Sequence, residues 1–155
     1  MKTKAELVKL LRTDVQAFNA YRQQLSEIGI NEIDLSNVDL RNLDLRNVDF
    51  SFTNLSNATL WNADLRNSNL SRVNLSNANL NYVSFDNTNL SDVFLEHANL
   101  SFANLSYVNL NYSTLKNADL SFADLSFAKI IRTNLNNTNL TDTNLWNTEI
   151  NHIKY

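Results

Sequence analysis

The residues able to do acid–base, nucleophilic or metal chemistry are few in this chain, and none stands at a spacing that such chemistry needs. The two histidines, His97 and His152, are far apart and form neither a His-x-His nor a His-Glu-x-x-His pair, so each reads as a surface residue. Serine recurs at one kind of place, at Ser36, Ser56, Ser76, Ser101, Ser106, Ser121 and Ser126, with no base beside it to activate the hydroxyl. Absence of cysteine removes thiolate ligands and disulfides, and leaves a reducing compartment compatible. The single glycine, Gly29, leaves no glycine-rich phosphate loop and no dinucleotide fingerprint. Asp and Asn are abundant, yet no stretch has the ligand order of a calcium-binding EF-hand loop. No catalytic residue, cofactor or metal is expected, and the chain is not expected to be an enzyme.

What positions these side chains is a beat of five. Every fifth residue from Ile30 to Ile150 is Leu, Ile or Phe, with no residue missing or added. A short fixed period signals a solenoid or array. It matches neither the helical period of 3.6 nor the strand period of 2. Two residues before each Leu sits a second small or apolar side chain, as at Val38, Ala58, Ala63, Val73, Ala98 and Ala118, with Asp or Asn in between. That triplet alternates in, out, in, which is a three-residue piece of strand. The two residues that follow are polar and often end in Asn, which tolerates positive φ, so they read as a corner.

These residues, A-(D/N)-L-x-x in tandem over residues 30–153, resemble the pentapeptide-repeat family. The resemblance implies an all-β solenoid, a right-handed quadrilateral β-helix of four pentapeptides per coil, with an N-terminal helical cap. About six coils at the ~4.8 Å spacing of paired strands would make a rod of ~29 Å. The sequence offers support at spacing twenty, with opposite charges at Arg66 and Asp86, Arg72 and Asp92, Glu96 and Lys116, and Lys129 and Glu149. Tyr82, Phe102 and Phe122 form an aromatic run at that spacing, and Asn37, Asn57 and Asn77 an Asn ladder.

Three segments are expected: a helical cap over 1–29, the array over 30–153 and a tail at 154–155. Thr3 with Glu6 has capping-box spacing, and Thr13 with Gln16 repeats it for a second helix ending near Leu25. Leu7, Leu10 and Leu11 share one face of the first helix, and Phe18, Tyr21, Arg22 and Leu25 one face of the second. Gly29 stands where a helix C-cap wants it. Residues 1–29 carry five bases and three acids, and the rest eight bases and thirteen acids, for a mild net charge of −3. The start MKTKAELVKLL lacks the apolar core of a secretion signal and no stretch could span a membrane, so a cytoplasmic protein is expected.

Function must then lie on the surface. Tyr82, Phe102, Tyr107, Tyr112, Phe122 and Phe127 occupy the second corner position, where Asn stands elsewhere, and Phe94 replaces an outward Asp or Asn. Stacked rings stabilise a coil, and an exposed aromatic run is also how binding patches look. This set is the candidate partner surface of a protein-binding scaffold whose partner the sequence does not name. Asp34, Asp39, Asp44, Asp49 and Asp64 form an alternative acidic surface. The quinolone-resistance members of the family, which protect DNA gyrase with a DNA-like acidic rod, make that alternative concrete, although Arg41, Arg46, Arg66 and Arg72 sit among the acids. Direct contact with nucleic acid or membrane is not expected. The outward ladders are too mixed in size for a surface that orders water or ice. Thr133, Thr138, Thr143 and Thr148 replace the inward small residue near the end, where their hydroxyls should reach backbone carbonyls. Trp146, Ile150, Ile153 and Tyr155 are candidates for an end-to-end contact, because some family members dimerise through their C-terminal ends.

Overall fold

A computed structural model describes residues 1–153. Thr3 and Glu6 close the capping box in both directions and start helix α1, Lys4–Thr13. The second helix, α2, spans Val15–Glu27, and its N-cap is Asp14 rather than Thr13. The Asp14 carboxylate accepts from Ala17 N at 2.9 Å, while the Thr13 hydroxyl turns back to donate to the Lys9 carbonyl. A carboxylate complements the positive end of the helix dipole, which a hydroxyl does less well. At the far end Gly29 takes φ +78°, with Gly29 N donating to Ser26 O and Ile30 N to Leu25 O. Those two bonds make a Schellman cap, and the positive φ is what requires glycine there. The pair buries Leu7, Leu11, Phe18 and Leu25 on the first coil, with the Phe18 ring edge-on to Phe50 at 5.5 Å.

From Ile30 the chain coils. Parallel bridges join residues twenty apart without a slip, from Asp39 with Thr59 to Asp124 with Asn144. Among the described residues only four pieces are long enough to be strands, and they pair in parallel: β1 (Ile33–Asp34) with β2 (Thr53–Asn54), and β3 (Lys129–Ile131) with β4 (Glu149–Asn151). Four pentapeptides therefore complete one circuit. The low strand content follows from the five-residue unit, since each side is three residues long and then turns.

One unit shows how the backbone is satisfied. Leu80 N donates to Asn99 O in the next coil, Tyr82 N to Ser101 O, and Ser84 N back to Ala63 O. Val83 N closes the corner on Leu80 O at 3.2 Å. Every second corner residue from Asn37 to His152 has φ between 51° and 64°. The outward Asp or Asn then caps its own corner, as Asn79 Oδ1 does for Asn81 N at 3.3 Å. This Asx turn is the physical reason for the Asp/Asn preference between the two inward residues.

The fifth-residue column is buried from Leu35 to Leu135 and opens at Leu140, Leu145 and Ile150. Thr133, Thr138, Thr143 and Thr148 donate to the carbonyls of Leu110, Leu115, Leu120 and Leu125, each at 2.8 Å. Thr88 and Ser113 do the same in mid-array. The expected charge stacking does not form, and none of the four spacing-twenty pairs is an ion pair. Arg66 bonds Asp64 in its own unit, because an outward residue and the corner beside it are nearer than the next coil. Nor do Asn37, Asn57 and Asn77 bond one another; the amide ladders run instead through Asn69, Asn89 and Asn109, and from Asn62 to Asn42.

Candidate partner-binding surface

The four sides can be named by their outward residues in one coil: Ser84, Asn89, Phe94 and Asn99. The Ser84 side is bounded by two corners. On one, Tyr82 lies parallel to Phe102 at 5.0 Å between centroids, and Phe102 to Phe122 at 4.9 Å. On the other, Tyr107 stacks on Phe127 at 4.7 Å, and Trp146 closes that column edge-on at 4.8 Å. Tyr82, Phe102 and Phe122 remain 49%, 47% and 50% exposed, whereas Phe127 is half-buried between its two neighbours.

All five stacked rings sit on left-handed backbone, with φ of 59° or 60°. That conformation costs an ordinary residue roughly 1–2 kcal/mol, and Asn tolerates it best. A ring stack offers about 0.5–1.5 kcal/mol beyond the apolar area it buries. Stacking and buried ring area together offset the strain, and what sets these corners apart is that about half of each of Tyr82, Phe102 and Phe122 stays exposed.

The structure does not gather the whole aromatic set. Tyr112 lies at the corner after the Tyr107 column, with the Arg132 guanidinium 5.9 Å above its ring. Phe94 faces out on the opposite side of the coil, where it lines a groove of about 530 Å³ with Phe52 and Arg72. The Phe52 corner, with Arg72 at 5.3 Å over its ring, and Trp61 are further exposed aromatics that type-matching in the middle coils passed over. Their signal was position: Phe52 takes the second corner place three coils before Tyr112, and Trp61 the first place of the corner one coil before Tyr82.

The acidic residues do not share a surface. Asp34, Asp39, Asp44 and Asp49 fall one to each side, and only Asp44 and Asp64 lie in register. All five cap their own corner amides. Arg41, Arg46 and Arg66 each grip the Asp two residues earlier through Nε and Nη2, and Lys4 pairs with Asp34 at 2.9 Å. The Arg41 and Arg46 guanidinium groups hold Asp39 and Asp44 down at about 2. Asp34 is also lowered to about 2, first by the Ser36 amide and then by Lys4.

Pentapeptide repeats match this chain in eight copies, over residues 33–72, 68–101, 84–121, 98–137 and 118–153. The chain belongs to the pentapeptide-repeat family. Its coil is accordingly the right-handed quadrilateral β-helix of that family. Among solved structures, the pentapeptide repeat protein Rfr23 from the cyanobacterium Cyanothece 51142 is 24% identical with a TM-score of 0.60, covering 90% of this chain and 98% of that one. The pentapeptide repeat protein alr5209 from Nostoc Pcc 7120 is 30% identical with a TM-score of 0.49, covering 56% of this chain and 83% of that one. QnrB1, a plasmid-mediated fluoroquinolone resistance protein, is 19% identical with a TM-score of 0.43, covering 78% of each chain. At that similarity it bears on no functional point. No curated protein matches the chain.

In the last coil of this pentapeptide-repeat protein the described residues leave the axis partly exposed. Leu145 and Ile150 are 38% and 42% exposed, Trp146 is 64% exposed, and Ile153 packs partly against the core. Tyr155, the remaining candidate for an end-to-end contact, lies outside the described residues. His97 sits at an exposed corner, with Asn117 Nδ2 3.3 Å from its Nε2. Among the described residues no group of three or more His, Cys, Asp or Glu side chains is placed to hold a metal ion. Among the same residues no helix is long and apolar enough to cross a membrane.

Proposed function

We propose that this chain is a non-enzymatic scaffold, a rod of about six coils that binds another protein along its Ser84 side. The observation that carries the reading is the pair of ring columns held exposed on strained corners. Large rings left about half exposed in contiguous columns are how protein-binding patches look. Rings clustered on neighbouring corners are also the residue type that anchors protein interfaces. Replacing Phe102 and Phe122 together by Asn returns both corners to the residue that fits them. The variant is expected to melt within about 1–2 kcal/mol of the parent, since lost stacking and relieved strain nearly cancel. As bait in affinity capture, it should lose the proteins that the parent retains. An unchanged capture profile from the folded variant rejects the reading.

The gyrase-protecting alternative finds no support in a surface whose five acids are spread over four sides, three of them gripped by Arg and Asp34 paired with Lys4. The partly exposed last coil is a second contact, taken by another copy of the chain. Leu145, Ile150 and the free edge of β4 favour it, because an apolar coil end with an unpaired edge associates readily. Sedimentation equilibrium should show a monomer–dimer equilibrium that Ile150→Lys abolishes. A parent chain that stays monomeric across the concentration range rules the contact out.

A further inference from the structure

The Ser84 side carries charge as well as rings, and the unpaired charge on it has one sign. Asp124 stands between Phe122 and Phe127 on one coil, in the Ser84 register, whereas Asp119 faces out on the adjoining Asn99 side. Asp86 occupies the first position of the second corner, with the Ser106 hydroxyl at 3.4 Å. Asp119 and Asp124 receive their corner amides, Ser121 N at 3.0 Å and Ser126 N at 2.9 Å, on Oδ1. The amides of Asn139 and Asn144 reach the same Oδ1 atoms at 2.9 Å. Oδ2 of both aspartates therefore has no hydrogen-bond donor among the described residues. None of the three carboxylates is in an ion pair there either, in contrast to Asp39, Asp44 and Asp64.

Two further features narrow the partner. Parallel stacking at 4.7–5.0 Å covers ring faces with ring faces, so the columns present mainly edges to solvent. Edges serve apolar side chains and other rings, whereas a sugar would need an open face. The backbone of this side is bonded coil to coil, as by Leu105 N to Asp124 O and Asp124 N to Ala103 O. An added strand would find no free edge on it, while a helix brings its own backbone bonds. The 5.4 Å pitch of a helix also lies close to the coil spacing seen in the ring columns.

We infer that the Ser84 side docks a basic amphipathic helix of another protein, with apolar side chains against the ring edges and Lys or Arg on Asp86 and Asp124. This rests on the protein-binding reading above and adds the chemistry of the partner. The probes are three labelled helical peptides with one shared Leu-rich face and a polar face of Lys, Gln or Glu. Each is titrated with the full chain by fluorescence anisotropy at low and high salt. The Lys peptide should bind about three- to tenfold more tightly than the Gln peptide, with the Glu peptide weakest. That advantage should shrink as salt rises. Asp86→Asn with Asp124→Asn keeps the corner bond to Ser126 N, since Asn104 makes the same bond one coil earlier, and should abolish the advantage. If all three peptides bind equally, and Phe102→Asn with Phe122→Asn removes them all, the charge inference is wrong and the protein-binding reading stands. If neither pair of substitutions alters binding, or no peptide binds, the inference is overturned; binding indifferent to the rings also counts against the surface itself.

Discussion

Leu80→Lys is expected to unfold the array in one cooperative step, while Asn79→Lys, one residue earlier, should melt close to the parent. Leu80 is fully buried on the axis, between Leu60 and Leu100 of the flanking coils. Replacing it forfeits roughly 2–3 kcal/mol of burial. The ammonium group would add several kcal/mol more, because the axis offers hydrocarbon and carbonyls already engaged by amides. Together these approach the ~5–15 kcal/mol that holds a typical domain. In a stack stabilised by neighbour contacts, a failed middle coil leaves two short pieces that cannot bury their ends. The outward site, by contrast, accepts lysine, as Lys129 shows in the same chain. Asn79→Lys loses the corner bond to Asn81 N, a matter of about 0.5–1.5 kcal/mol. Circular dichroism during heating decides the matter. A Leu80→Lys protein that melts with the parent would mean the fifth residue does not face the axis.

The beat that makes this comparison sharp was legible in the sequence because one physical requirement, a buried side chain on each side of the coil, repeats without interruption. The corner conformation was legible for a related reason. Asn stands at so many second corner positions that its tolerance of positive φ identifies them, and Tyr82 or Phe102 inherit the conformation from their place in the register. Register also carried more than was read from it. Counting in twenties separates Phe94 and Tyr112 from the stacked columns and scatters Asp34, Asp39, Asp44 and Asp49 over four sides, whereas grouping by residue type runs them together. What register does not settle is the reach of a flexible side chain. Arg66 has both Asp64 and Asp86 nearby in topology, and the bidentate bond within its own unit wins. The outward Asp residues read as charge, yet most of them are first corner caps, a role that Asn fills as well in neighbouring units. The partner surface is the least legible part, since repeat geometry constrains the inward side chains and leaves the outward ones free.

Removing residues 1–28 is expected to convert the protein into one that associates through its first coil. Beneath the helix pair lie Leu35, Leu40, Leu45 and Phe50, all fully buried, which the deletion would open to water. The pair also supplies donors to the first coil's free carbonyls around the circuit. Lys4 reaches Ser36 O, Arg12 reaches Asp39 O, Asn19 reaches Asn47 O, and Arg22 reaches Ser51 O together with Asn31 O. Asn19 additionally accepts from Asp49 N at 2.9 Å. A bare coil end would therefore present both an apolar disc and an unpaired edge, the combination that drives edge-to-edge association. Arg22→Met separates the two contributions, because it keeps the apolar cover and withdraws only the guanidinium. Burial already pulls the Arg22 pKa down, against the field of Asp49, so the group is held there at some expense of solvation. Its loss leaves the Ser51 and Asn31 carbonyls without that donor, at about 1–3 kcal/mol each where water cannot replace it. Sedimentation velocity should show concentration-dependent species for the deletion, and a destabilised monomer for Arg22→Met. If the shortened chain stays monomeric and melts like the parent, the helix pair is not a cap.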